Sequence, residues 1–266
     1  MSANNQFQLA NELFNIGYSD KAAVEYLRFT YYFAEDQRGA LAKYRAGLCF
    51  DESERPFQAR KIYNKIISGG RTDSLSNGAR YRLSLSYFKS GDTPSSLFYI
   101  EKYILDCDIK CQLSLVYLEG WNYFWERKYS EALRVFGRIE TGELDSSSFF
   151  MQGLSQQGLA LPRRSPYLVA GMSAILPGSG RAYLGRWGDA LINLVVIGGS
   201  FAGSYLMWDD DRSFSIGLLI SGAIFYGGNI YGSWVGAKYF NEQKHRDLYN
   251  YAKKYVPRRP EELYRY

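Results

Sequence analysis

The chain has 266 residues, enough for one or two domains, and a net charge of only +5 that is scattered along its length. No Lys/Arg block is dense enough for a nucleic-acid footprint and no zinc-finger or RNP-like segment occurs, so nucleic acid is excluded as a partner. Three cysteines and one histidine do not make a disulfide framework, and the single histidine, His245, lies too far from Cys107 and Cys111 to complete a metal site.

The opening from Met1 to Gln8 is polar and shows no signal peptide, which fits either a chain made without one or one trimmed on export. Four stretches then share a pattern: an apolar or aromatic helix, a turn carrying Gly or a charged residue, and a second helix with a small residue near its start. The first reads Leu9-Ala10, Leu13-Phe14, Gly17-Tyr18, Ala22-Ala23, Tyr26. The second has Ala42, Tyr44, Ala46-Gly47-Leu48, then Ala59 and Tyr63. The third has Ala79, Tyr81, Leu83, Tyr87-Phe88, Gly91, then Ser95-Ser96. The fourth has Gly120-Trp121, Phe124-Trp125, Tyr129, then Ala132 and Val135-Phe136.

The small second-helix residues recur every ~36 to 38 positions, close to the tetratricopeptide period of about 34. A single helical hairpin cannot bury both apolar faces, so neighbours must stack, with Gly or Ala at crossings and an aromatic in the adjoining hole. Phrases such as Trp125-Glu126-Arg127-Lys128-Tyr129-Ser130-Glu131-Ala132 resemble the tetratricopeptide turn and second-helix start. The resemblance covers roughly residues 5 to 140, and what it implies is a concave surface that receives peptides or partner domains. A partial fifth unit runs from Leu144 to Leu161 and ends at a Pro-Arg-Arg-Ser-Pro breaker. Cys107 and Cys111, four apart, would share a helix face and read, with Cys49, as small apolar residues on packed helices.

Composition shifts at Tyr167. Ala190 to Trp208 and Phe214 to Ala237 carry no charge and are long enough to span a bilayer, with only Asp209-Asp210-Asp211-Arg212-Ser213 between them. Soluble core helices rarely avoid charge for so long. Gly199 and Gly203 are four apart, and Gly228, Gly232 and Gly236 form a ridge that lets membrane helices approach closely. Asn229 is the strongly polar side chain at depth, read as an interhelical hydrogen-bonder rather than a transport residue.

Ahead of the first span, the apolar run from Tyr167 to Leu176 is too short to cross and suits an interfacial or re-entrant helix. Pro177 breaks it, and Gly178, Gly180 and Gly185 permit a sharp turn. Arg181 and Arg186 are expected to reach lipid phosphates while Tyr183 and Trp187 sit at headgroup level. The turn lacks the Gly-x-x-x-x-Gly-Lys-Ser/Thr arrangement and no strand precedes it, so it is not a phosphate loop. The segment resembles the Pro-Gly-x-Gly-x-x-Tyr-x-Gly-Arg signature of small bacterial two-transmembrane-helix hairpin domains, with Arg181 where Gln is common. The whole chain resembles uncharacterised bacterial proteins that join tetratricopeptide repeats to such a hairpin. That resemblance implies an envelope protein without an established enzymatic activity.

The expected architecture is all-α: a tetratricopeptide-like helical repeat domain over 1–161, a linker with the interfacial helix over 162–189, a transmembrane hairpin over 190–240 and a basic tail over 241–266. The tail is expected as a surface helix with a Pro-containing end, its charges, with an exposed His245, near anionic lipid. Arg163, Arg164, Arg181 and Arg186 before the first span, and Lys238, Lys244 and Arg246 after the second, favour both termini in the cytoplasm of a bacterial inner-membrane protein. The family resemblance points instead to repeats outside the cytoplasm. No nucleophile-base pair, carboxylate cluster or metal spacing is found, so neither enzyme, cofactor nor metal is expected. The expected function is a scaffold in membrane-protein biogenesis or envelope assembly, binding proteins through the repeats and the bilayer through the hairpin, with homo-oligomers compatible. The alternative is a transport or channel component built from oligomerised hairpins around Asn229.

Overall fold

The computed structural model describes residues 2–70, 73–140 and 142–265. Met1 and Tyr266, the outer limits of the first and last expected segments, lie outside the described residues. Among those residues the chain is all-helical, with thirteen α-helices and two short 3-10 turns. It divides into two compact units, Met1–Leu159 together with Tyr251–Tyr266, and Ala160–Asn250.

The first unit contains α1 (Ala3–Asn15), α2 (Ser19–Tyr32), α3 (Gly39–Glu52), α4 (Pro56–Ile67), α5 (Ser74–Lys89), α6 (Thr93–Tyr103), α7 (Ile109–Trp125), α8 (Tyr129–Phe136) and α9 (Asp145–Leu159). Starts are set by side-chain caps: Ser2, Asp73, Asp92 and Asp108 each accept from the backbone N–H three residues on, which satisfies an otherwise unpaired donor of the first turn. The turn inside each hairpin is the same four times over. Gly17, Glu54, Gly91 and Arg127 all adopt positive φ, and the next residue's N–H returns to the carbonyl of Leu13, Phe50, Tyr87 or Tyr123. This six-to-one bond closes the last helical turn and reverses the chain.

The hairpins pack by a small residue on the first helix facing a large one on the second. Ala10 and Tyr26, Gly47 and Tyr63, Ser84 and Ile100, Gly120 and Phe136 occupy equivalent positions, and all are buried. A Cβ placed on Gly47 would lie 2.6 Å from the Tyr63 ring, and one on Gly120 only 2.5 Å from Phe136. Successive helices pack on one another, and α5 also packs beside both α3 and α7, so the first helices of neighbouring hairpins form a common face. The expected fifth unit is a single helix, α9, against α8.

Two expectations change in this unit. Cys107 precedes the Asp108 cap rather than sharing a helix with Cys111, and the two are disulfide-bonded. Cys49 stays a buried thiol on α3, pushed up to about 12 by burial, which makes it inert. The C-terminal segment, expected as a surface helix with a Pro-containing end, groups with the repeats from Tyr251.

The second unit holds α10 (Pro166–Ile175), α11 (Ser179–Tyr183), α12 (Trp187–Leu206) and the greater part of α13 (Arg212–Tyr255). Helix α12 begins three residues before the expected span and α13 continues well past Ala237. Both are long and apolar enough to cross a membrane, and in the apolar stretch of each only 17% of residues are buried. A core helix of a soluble protein is mostly buried, so this exposure sets the pair apart. His245, expected to be exposed, is buried.

Gly120→Ala is expected to destabilise the first unit by about 1–3 kcal/mol, because the added methyl overlaps the Phe136 ring. Gly153→Ala, in α9 with open space around it, should instead stabilise by about 0.5–1 kcal/mol by removing backbone freedom from the unfolded chain. Urea unfolding followed by circular dichroism in detergent checks both signs.

Candidate functional site

Within the first unit, the face shared by α3, α5 and α7 carries a tyrosine at the same repeat position: Tyr44, Tyr81 and Tyr117. All three are fully buried, and what buries them is the C-terminal segment. Tyr44 Oη donates to the Tyr264 carbonyl at 2.6 Å, Tyr81 Oη to the Pro260 carbonyl at 2.9 Å, and Tyr117 Oη to the Arg258 carbonyl at 2.7 Å. Arg82 Nε also donates to the Tyr264 carbonyl, at 3.3 Å. The Arg258 N–H in turn donates to Ser147 Oγ at 3.1 Å. Every one of these bonds goes to the main chain of the segment. It therefore crosses the groove from α9 and α7 towards α3, against the order of the repeats.

Apolar side chains fill the space between these bonds. Val256, Pro260, Leu263 and Tyr264 are buried, and the Tyr264 ring tilts over Tyr81 with centroids 5.4 Å apart. Leu263 lies against a hollow of about 360 Å³ lined also by Ile109, Leu113, Ser114 and Leu144. At the two ends the segment's arginines meet carboxylates, Arg258 with Glu143 and Arg265 with Glu52. These ion pairs are well exposed and contribute little, so the main-chain bonds and the buried side chains carry the docking.

Electrostatics hold the donors in place. Burial pushes the Tyr81 hydroxyl, and likewise Tyr63 and Tyr117, far above the ordinary phenol range, so they stay protonated. Burial also raises the Asp51 carboxyl, against the opposing effects of the Tyr63 hydroxyl it accepts at 2.8 Å and of nearby Arg82. Burial works against the Arg82 charge, but Tyr44, Tyr63 and Asp51 around it keep the guanidinium protonated. Its Nη2 is buried without a hydrogen-bond partner among the described residues, which leaves donor capacity on the groove floor.

The second unit places the other expected site residues in one knot. Gly178 has φ of +87°, and a Cβ there would lie 2.2 Å from the Ala190 carbonyl oxygen. Only glycine fits. The Asn229 side chain clasps this turn, accepting from Gly178 N at 3.3 Å and donating to the Ser173 carbonyl at 3.2 Å. Ser173 bonds Ser233 at 2.7 Å and accepts from Gly180 N at 3.1 Å. Pro177, Gly178, Tyr183 and Trp187 line an apolar hollow of about 500 Å³ beside α12. Arg181 and Arg186, expected at lipid phosphates, are engaged with Asp189.

The glycine ridge behaves differently from expectation. Gly232 faces Arg181 and Gly236 faces Leu184, so these glycines receive α11 and the turn after it, and Gly203 faces Leu218 of α13. Gly199 and Gly228 have open space around them and join no packing among the described residues. Gly222, not expected, sits against Ser200 and Phe201 where α12 and α13 meet, and Ser204 and Ser215 bond each other's backbone carbonyls there. Sequence reading missed the tyrosine ladder and its occupant. The available signal was the tyrosine recurring at the repeat period on first helices; Tyr44 and Tyr81 stood in the repeat pattern as packing aromatics rather than as hydrogen-bond donors.

Because burial raises Tyr63, Tyr81 and Tyr117 above the unfolded phenol value of about 10, their contribution to stability is full below that value and is lost progressively as pH rises from there through the raised folded values. Absorbance of tyrosinate followed together with circular dichroism should show ionisation of the buried set coinciding with unfolding. Separately, Asn229→Leu leaves the Gly178 N–H and the Ser173 carbonyl unpaired and is expected to cost about 1–3 kcal/mol per group, read as a lower thermal midpoint.

No protein-family model matches this chain, and no curated protein matches it either.

Proposed function

We propose that the chain is a membrane-anchored protein-binding scaffold: a tetratricopeptide-type solenoid that holds extended polypeptide on its concave face, joined to a transmembrane hairpin. The observation that carries the reading is the segment Val256–Arg265 seated across α3, α5 and α7 by hydrogen bonds to its own backbone carbonyls. A face that binds main chain in this way is suited to peptide. The membrane half of the reading rests on the exposed apolar surface of α12 and α13, which water alone solvates poorly.

Within this reading α10 and α11 form the interfacial element, held to the second span by Asn229 and Ser233. The commitment of both ends of the Asn229 amide to hydrogen bonds favours anchoring over a conducting pathway. Membrane-protein biogenesis or envelope assembly is the class of work such a scaffold serves. Orientation is drawn two ways by the chain itself. The arginine and lysine flanks favour the repeats in the cytoplasm, whereas a Cys107–Cys111 disulfide favours an oxidising compartment.

The scaffold reading is tested by a photo-crosslinking residue introduced at exposed Phe57, on the second helix of a hairpin, in protein expressed at native level. Specific protein adducts in the carbonate-resistant membrane fraction are expected; a chain released by carbonate, or one that conducts ions in liposomes and captures no protein, sinks the reading. Impermeant-thiol labelling of Ser2→Cys and Asp210→Cys gives the orientation. Reaction at Asp210→Cys alone is expected from the charge pattern, and reaction at Ser2→Cys alone assigns the repeats to the far side.

A further inference from the structure

The C-terminal segment does more than complete the fold. Its five bonds to the groove engage the backbone, so they do not depend on which side chains it carries. What selects it is shape and charge: an extended run with arginines opposite Glu143 and Glu52 and one apolar side chain at the Leu263 position. That position is underfilled. The hollow of about 360 Å³ stays open beside Leu263, walled by Leu113 and Leu144 with Lys110 and Glu143 at its edge, and Ile109 on its rim remains largely exposed. On the floor, Arg82 uses Nε for the Tyr264 carbonyl and keeps a buried Nη2 unspent.

We propose that Val256–Arg265 is a built-in occupant of the groove that an extended, arginine-flanked peptide displaces, and that the displacing peptide carries a bulky aromatic where the chain has Leu263. This rests on the scaffold reading and names the chemistry of its partner. The aromatic fills the hollow that the leucine leaves open, while the Tyr44, Tyr81 and Tyr117 hydroxyls transfer to carbonyls of the incoming main chain. The attached segment competes at an effective concentration on the order of millimolar, as short tethers do. A weak ligand is thus kept out and a well-matched one admitted.

The test uses the intact chain in nanodiscs and a fluorescein-labelled peptide of sequence VPRRPEEWYR. The peptide is titrated into the unsubstituted protein, into Leu263→Ser/Tyr264→Ser, whose own segment is weakened, and into that variant carrying Tyr81→Phe. Binding at least tenfold tighter to the double variant than to the unsubstituted protein is expected, with Tyr81→Phe removing roughly two- to tenfold of it through one lost hydrogen bond. Equal affinity for all three, or no binding to any, overturns the proposal. The same peptide with Leu in place of Trp should bind more weakly, and parity between them overturns the selectivity.

A second measurement avoids the variants. Trypsin cleaves the Arg258–Arg259 bond, but not Arg259–Pro260, when the segment leaves the groove, so saturating peptide, N-methylated at its own Arg–Arg bond to resist the protease, should accelerate that cut in the unsubstituted protein. An unchanged cutting rate overturns displacement. If cutting and binding both fail while Phe57 still captures membrane proteins, the scaffold stands and its partners use another surface.

Discussion

The repeat unit depends on a steric constraint: at each hairpin crossing the first helix must carry almost no side chain, because the second helix inserts a bulky residue there. Ala10, Gly47, Ser84 and Gly120 meet it, opposite Tyr26, Tyr63, Ile100 and Phe136. Close-packed interiors tolerate no extra methyl at such a point. The crossing fixes how far each first helix is rotated, and that rotation decides which residues reach the shared face. Tyr44, Tyr81 and Tyr117 each stand three residues ahead of the small residue of their own hairpin. Repetition of the crossing therefore repeats a buried aromatic at this position, Phe7 in the first hairpin and tyrosine in the next three, so packing sets the place and the sequence of α3, α5 and α7 supplies the donors.

The same constraint explains how much of the fold could be read from the sequence. Small and aromatic residues recurring at the repeat period, with Gly or a charged residue at the turn, report local sterics that operate within one hairpin. They gave the four hairpins and a turn inside each, while the left-handed backbone at Gly17, Glu54, Gly91 and Arg127 was seen only in the structure. The long uncharged stretches reported helix length in the same local way. The groove's occupant was hidden because Arg258 and Tyr117 are far apart in the chain, and because the bonds use carbonyls that every residue possesses. The tail charges, Arg258 and Arg259 among them, suggested lipid; in the structure these two face Glu143 and Glu262, and Arg265 faces Glu52.

The second unit shows the limit of spacing arguments from the other side. Gly228, Gly232 and Gly236 lie in register along α13, yet among the described residues only the latter two meet a neighbour. Spacing shows which residues share a helix face, but not which element comes to that face. Here it is α11 and the turn that follows it, drawn in by Asn229 and Ser233 through Gly178 and Ser173. A glycine motif that resembled a helix–helix seam thus serves, in part, to seat a turn.

A groove lined with buried hydroxyls and a guanidinium is costly to leave without acceptors, since each unpaired buried donor forfeits about 1–3 kcal/mol. Water can satisfy such donors only by wetting the apolar surfaces around Leu263 and Val256 that the segment now covers. Some main chain is therefore always favoured on this face, and the question for any partner is exchange rather than occupation of empty space. Exchange conserves the hydrogen bonds, because one set of carbonyls replaces another, so the tyrosine ladder contributes nearly equally to both occupants and discriminates little between them. Discrimination is left to whatever the two occupants do differently. The structure offers two such places, the hollow beside Leu263 and the Arg82 Nη2, which has no partner among the described residues.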